Sequence, residues 1–97
     1  MKNKIDFINS VRTIKSIAVS IQQYEFAGLI RDIEKEIISK NTIDFSHYYV
    51  RIKTVVFRFL KLEDNNFKLF HKEVNILKSI AREELISKIL QKDNDNL

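Results

Sequence analysis

The chain has 97 residues, a formal charge of +4, one Gly, and no Pro, Cys or Trp. That length supports a single hydrophobic core, with net stability on the order of 5–10 kcal/mol. The scarcity of Gly argues against hairpin-rich β folds and a Gly-rich phosphate loop. The absence of Cys excludes disulfides and thiolate metal sites, and the apolar runs are too short for a membrane span.

Four predicted helices follow from the periodicity. The first covers about 4–22, with Phe7, Ile8, Val11, Ile14, Ala18 and Ile21 on one broad face and Arg12, Lys15 and Gln22 outside it or at its edge. Its start, MKNKIDFINS, carries lysines without a following apolar run, unlike a signal peptide, so a cytoplasmic location is expected. The second covers about 24–40 and buries Phe26, Ala27, Ile30, Ile33, Ile37 and Ile38. Gln23 is a poor cap for it, and Asn41 is expected to end it in a left-handed conformation. Lys35 and Lys40 sit near its carbonyl end, where cations are favoured.

The third helix is capped by Thr42 or Asp44 and ends near Leu62. Its stripe of Phe45, Tyr48, Ile52, Val55, Phe59 and Leu62 alternates spacings of three and four. Tyr49, Val56 and Leu60 flank that stripe, and Val50 and Phe57 lie nearly opposite it. The polar break Glu63-Asp64-Asn65-Asn66 precedes a fourth helix from Phe67 to about Gln91. Its main stripe is Phe67, Phe70, Val74, Leu77, Ala81, Leu85 and Ile89, and Leu69, Ile76 and Ile80 form a second one. The polar tail 92–97 has nothing to bury and is expected to fray. The expected fold is therefore all-α: a small antiparallel four-helix bundle in one domain, 1–91, built from a hairpin over 4–40 and a helix pair over 42–91.

The least generic stretch is QQYEFAGLIRDIEKE, 22–36. A Gly inside a helix costs about 1 kcal/mol relative to Ala, which suggests that Ala27 and Gly28 let helix 2 approach helix 1 closely. Tyr24 is expected to fold over the turn, and Glu25 lies in the first helical turn, where a carboxylate suits the free amides. Arg31 and Asp32, being adjacent, point in different directions and need not pair.

Gln23-Tyr24-Glu25-x-Ala27-Gly28-x-Ile30-Arg31-Asp32-x-Glu34 resembles the UVR motif, the helical hairpin of UvrB, UvrC and the middle domain of ClpC-type unfoldases. Tyr24, Glu25, Ala27, Ile30, Arg31 and Asp32 match that motif. Gly28 stands in place of its second Ala, Gln23 in place of its commoner Asp, and Glu34 suits the unfoldase variant. The resemblance covers about residues 10–40. It implies a hairpin that binds another protein, often another such hairpin, with Tyr24, Glu25, Arg31 and Asp32 at the contact. No nuclease, helicase or nucleotide-binding motif accompanies it.

Other constellations carry less. His47 and His71 lie on different helices without companion ligands, so no metal site or cofactor is expected. The serines have no nucleophile context, and Glu34, Glu36, Glu83 and Glu84 read as exposed carboxylates without a pocket to shift their pKa values, so no enzyme is expected.

Nucleic-acid binding is the rival reading. Arg51 and Arg58 project the same way from helix 3, near Tyr48, Tyr49 and Phe57. A small immunity or phage-encoded inhibitor protein is a third. The leading reading is a non-catalytic protein–protein interaction module or adaptor. Homodimerisation is expected from surplus apolar surface at Val50, Phe57, Leu69, Ile76 and Ile80.

Overall fold

The computed structural model describes the backbone of residues 2–60 and 65–95, with side chains for 3–60 and 65–90. Four helices account for nearly all of it: α1 (Lys2–Ser20), α2 (Tyr24–Ser39), α3 (Phe45–Phe59) and α4 (Phe67–Asp95). Consecutive helices pack side by side, and α4 closes the ring against α1. The turns joining α1 to α2 and α2 to α3 are short, so chain direction reverses at each, as in an up-and-down bundle. Among the described residues no helix is long and apolar enough to cross a membrane.

Each helix contributes the side chains that its periodicity selects. Phe7, Val11, Ile14 and Ala18 of α1 are fully buried, as are Phe26, Ile30 and Ile37 of α2. Tyr48, Ile52 and Val56 of α3 and Phe70 and Leu77 of α4 complete the centre. Aromatic contacts tie the helices across the ring at both ends. The Phe7 and Phe45 rings lie 5.0 Å apart at one end. At the other, Phe26 stacks on Phe59 at 5.7 Å and on Phe70 at 5.2 Å. Offset ring pairs of this kind add stabilisation beyond the area that they bury.

The helix ends differ in part from expectation. α1 stops at Ser20, two residues early, because the chain enters the left-handed region at Gln22, φ 63°. α2 ends at an extended Lys40, φ −97° and ψ 139°, rather than at a left-handed Asn41; Gln22 alone among the described non-glycine residues has a positive φ. The Lys4 ammonium, 3.0 Å from the Lys40 carbonyl, caps that end from the neighbouring helix. Asp44 caps α3 by accepting from the His47 amide at 3.2 Å, and α3 closes at Phe59 with Leu60 as its cap. Leu62, Glu63 and Asp64 lie outside the described residues. The tail expected to fray from 92 is helical as far as Asp95, past the end placed near Gln91, and 96–97 are outside the described residues.

The largest correction concerns α4. Leu85 and Ile89, expected in the core, are 53 % and 54 % exposed. At 1.5 Å per residue α4 is about 43 Å long, whereas α3 is about 22 Å. The distal part of α4 extends past α3, and its apolar stripe outruns the bundle. Ile38, expected to be buried, is 47 % exposed on the outer side of α2. The proposed patch also changes. Ile80 is buried and Ile76 packs against the core, while Val50, Phe57 and Leu69 are open.

Candidate interaction surface

The α1–α2 turn is held by backbone bonds. The Gln23 amide donates to the Ala18 carbonyl at 2.9 Å and the Gln22 amide to Val19 at 3.0 Å. This pair of bonds around a left-handed residue is a Schellman motif, which Gly or Asn usually supplies. Gln22 fills that place here, so no turn signal marked it in the sequence. Gln23 then starts α2 with no side-chain cap, and its carbonyl accepts from the Ala27 amide at 2.9 Å.

Glu34 fastens the two helices further along. Its carboxylate is buried, with Arg12 Nε donating at 2.7 Å and Lys15 Nζ at 2.6 Å. This corrects its reading as an exposed carboxylate. Burial raises its pKa, but the hydrogen bonds from Lys15 and then Arg12, with their charges, outweigh that and leave it below the ordinary value. The signal was present in the sequence: Arg12 and Lys15 stand three apart on α1, on the flank that faces α2.

With Glu34, Ala27 and the core residues turned inward, the opposite side of α2 is free. At 100° per residue, Tyr24, Gly28, Arg31, Asp32 and Lys35 fall within about a third of the circumference. Tyr24 is 66 % exposed; its ring does not cover the turn. Glu25 is also exposed, in the first turn of the helix. Arg31 Nη2 and Asp32 Oδ1 meet at 3.5 Å with both side chains mostly in solvent. They touch only weakly, as an exposed pair.

Gly28 is the surprise in this face. Ala27 is buried, in keeping with a small residue at the helix contact. Gly28 is not packed in this way: a Cβ added there would meet nothing within 4 Å. No approach of α1 requires a glycine at this position. The bare backbone faces outward, one turn after Tyr24 and one turn before Arg31 and Asp32.

Beside this stripe, α2 and α3 part to form a groove of about 410 Å³. Leu29, Ile33, Val50 and Val55 give it apolar walls, and Asp32 lies on its rim. Val50 is 56 % exposed there. The groove makes the apolar surface of α3 continuous with the charged stripe of α2.

The arginines of the rival reading separate. Arg51 Nη1 donates to Glu36 Oε2 at 2.7 Å, and the Tyr48 hydroxyl donates to Oε1 of the same carboxylate at 3.1 Å. The Arg51 guanidinium also sits 5.5 Å from the Tyr48 ring centre. The Arg51 hydrogen bond chiefly, against some burial and with help from Tyr48, holds the Glu36 pKa below the ordinary value. Arg51 is thus committed to joining α3 to α2. Arg58 stays exposed, with its guanidinium 5.7 Å from the centre of the Phe59 ring.

His47 and His71 are both exposed. Among the described residues no three His, Asp or Glu side chains gather in a cluster suited to a metal ion. No protein-family model matches the chain, and neither the curated proteins nor the solved structures hold a match to it.

Proposed function

We propose that this protein is a non-catalytic binding module, an adaptor that docks another protein on the outward face of α2. The observation that carries this reading is Gly28. It weakens its own helix by about 1 kcal/mol relative to Ala, and nothing inside the molecule uses the space that it leaves. A partner helix laid across that spot can bring its backbone closer than any other residue would allow. Tyr24 then supplies an amphipathic ring, Arg31 and Asp32 supply one charge of each sign, and the α2–α3 groove accepts apolar side chains. Tyr and Arg are the residue types that most often dominate such contacts. The likeness to the UVR motif points the same way, since its matched positions Tyr24, Glu25, Arg31 and Asp32 are all exposed.

Self-association is part of the proposal, carried by a different observation. Leu85, Ile86, Ile89 and Leu90 are 49–58 % exposed on the part of α4 that outruns the bundle. Two such ends, packed about a twofold axis, cover each other.

The test of the α2 face is capture from the native host. Immobilised protein should retain specific partners, and Tyr24→Ala and Arg31→Ala should lose them while melting at nearly the parent temperature. Both side chains are mostly in solvent, so their removal leaves the fold intact. Identical capture by the parent and both variants would refute the assignment.

A further inference from the structure

The groove between α3 and α4 contains a cavity of about 290 Å³ that neither the core nor the α2 face uses. Its walls are aromatic, with Tyr49 and Phe57 on α3 and Phe67 on α4. Phe57 is 42 % exposed even though its ring packs 5.3 Å from that of Phe67. Two ammonium groups, Lys53 and Lys78, stand at the rim. Among the described residues neither has a carboxylate within ion-pair distance, whereas Lys15, Lys40 and Lys88 each have one. Lys53 instead lies 5.8 Å from the centre of the Tyr49 ring and 5.7 Å from that of Phe57, a cation held among π faces.

Among the described residues, the charges lining the cavity have one sign. At 100° per residue, exposed Lys68 and Arg82 fall on the same flank of α4 as Lys78. Glu83 lies on the other flank, lining a groove with Asn3, Asp6 and Asn9 of α1. A site with flat aromatic walls, unpaired ammoniums and, among the described residues, no carboxylate in its lining suits a ligand that is a flat ring at one end and an anion at the other. The cavity lies at the lower edge of the range of about 300–1,000 Å³ usual for ligand sites. That is room for one heterocycle with its attached group, not for a duplex.

We infer that the α3–α4 groove binds a nucleobase with its phosphate, either as one link of a single strand or as a free nucleotide. The rings stack on the base, a contact tolerant of sequence, and Lys53 and Lys78 take the flanking phosphates. In a strand, the phosphates beyond them run toward Lys68 and Arg82. This contact uses other cations than the arginine pair read from helix 3. Arg51 is occupied by Glu36, and Lys53 and Lys78 line the groove on the opposite flank of α3 from Arg58.

Fluorescence anisotropy of a short labelled oligothymidylate against the whole protein at low salt tests the inference, with thymidine monophosphate as competitor. The parent should bind. Lys53→Gln with Lys78→Gln should weaken binding about tenfold and flatten the slope of log Kd against log salt by about 1.4, the loss of two single-strand phosphate contacts. Phe57→Ser should weaken it about fivefold or more through lost stacking. Arg58→Gln, on the other flank, should change it little, and circular dichroism should show every variant folded. Displacement by the mononucleotide at equal concentration assigns the site to a free nucleotide, and failure to displace assigns it to a strand. No binding, equal loss from Arg58→Gln, or equal competition by a poly-glutamate peptide would each overturn the inference. None of these results depends on the α2 face.

Discussion

Two single residues set how the α1–α2 hairpin responds to its surroundings. Glu34 is a buried carboxylate with two cationic donors, and its pKa lies below the ordinary 4.5. A group whose folded pKa is depressed stabilises the fold fully above its unfolded value, and that contribution is lost as pH falls through the folded one. Glu34→Gln keeps the shape and removes the charge. It should cost about 1–2 kcal/mol at neutral pH, discounted for partners that can return to solvent. The gap between parent and variant in urea titrations should narrow as pH drops below about 4.5. A gap independent of pH would show that the charge contributes nothing. Gln22 is the second residue. A side chain in the left-handed region, φ 63°, is strained where Gly is not. Gln22→Gly should stabilise the protein by about 0.5–1 kcal/mol and raise Tm by about 2–8 °C. A lower Tm would mean that the glutamine side chain contributes more than its backbone strain costs.

At the scale of whole elements, α4 shows where one-dimensional reading succeeds and fails. Its periodicity placed Phe70, Val74, Leu77 and Ala81 toward the core, and they are there or packed against it. The same periodicity continued to Leu85 and Ile89, which are exposed. A helical stripe encodes direction and says nothing of whether a neighbour is long enough to meet it. That distal stripe also yields a test of self-association. Leu85→Glu with Ile89→Glu should leave Tm nearly unchanged, since both residues are already half in solvent, and should convert a sedimenting dimer into a monomer. A parent that is monomeric at all concentrations would contradict the proposal. The other misses have similar causes. The turn at Gln22 carried no Gly or Asn, and the partners of Glu34 lie on another helix, 19 and 22 residues away. By contrast, Asp44 as the cap of α3 was legible, because capping is a local hydrogen bond between a side chain and an amide three residues on.

Across the whole molecule, the surface divides by what the core leaves over. The ring of four helices consumes the main apolar stripes and gathers two aromatic clusters, Phe7 with Phe45 and Phe26 with Phe70 and the half-buried Phe59. Ion pairs then join the helices outside the core: Arg12 and Lys15 to Glu34 between α1 and α2, and Arg51 to Glu36 between α2 and α3. What remains is a face of α2 with a bare glycine at its centre, and that glycine weakens the bundle for no internal gain. Replacing it separates stability from recognition. Gly28→Ala, compared with the parent by thermal melting and by titration against a partner captured from the host, is the most direct measurement. Gly28→Ala should melt higher, by about 1 kcal/mol of added stability, and bind the partner more weakly. A variant that gains the stability and keeps full affinity would show that the open backbone at position 28 is not a contact surface.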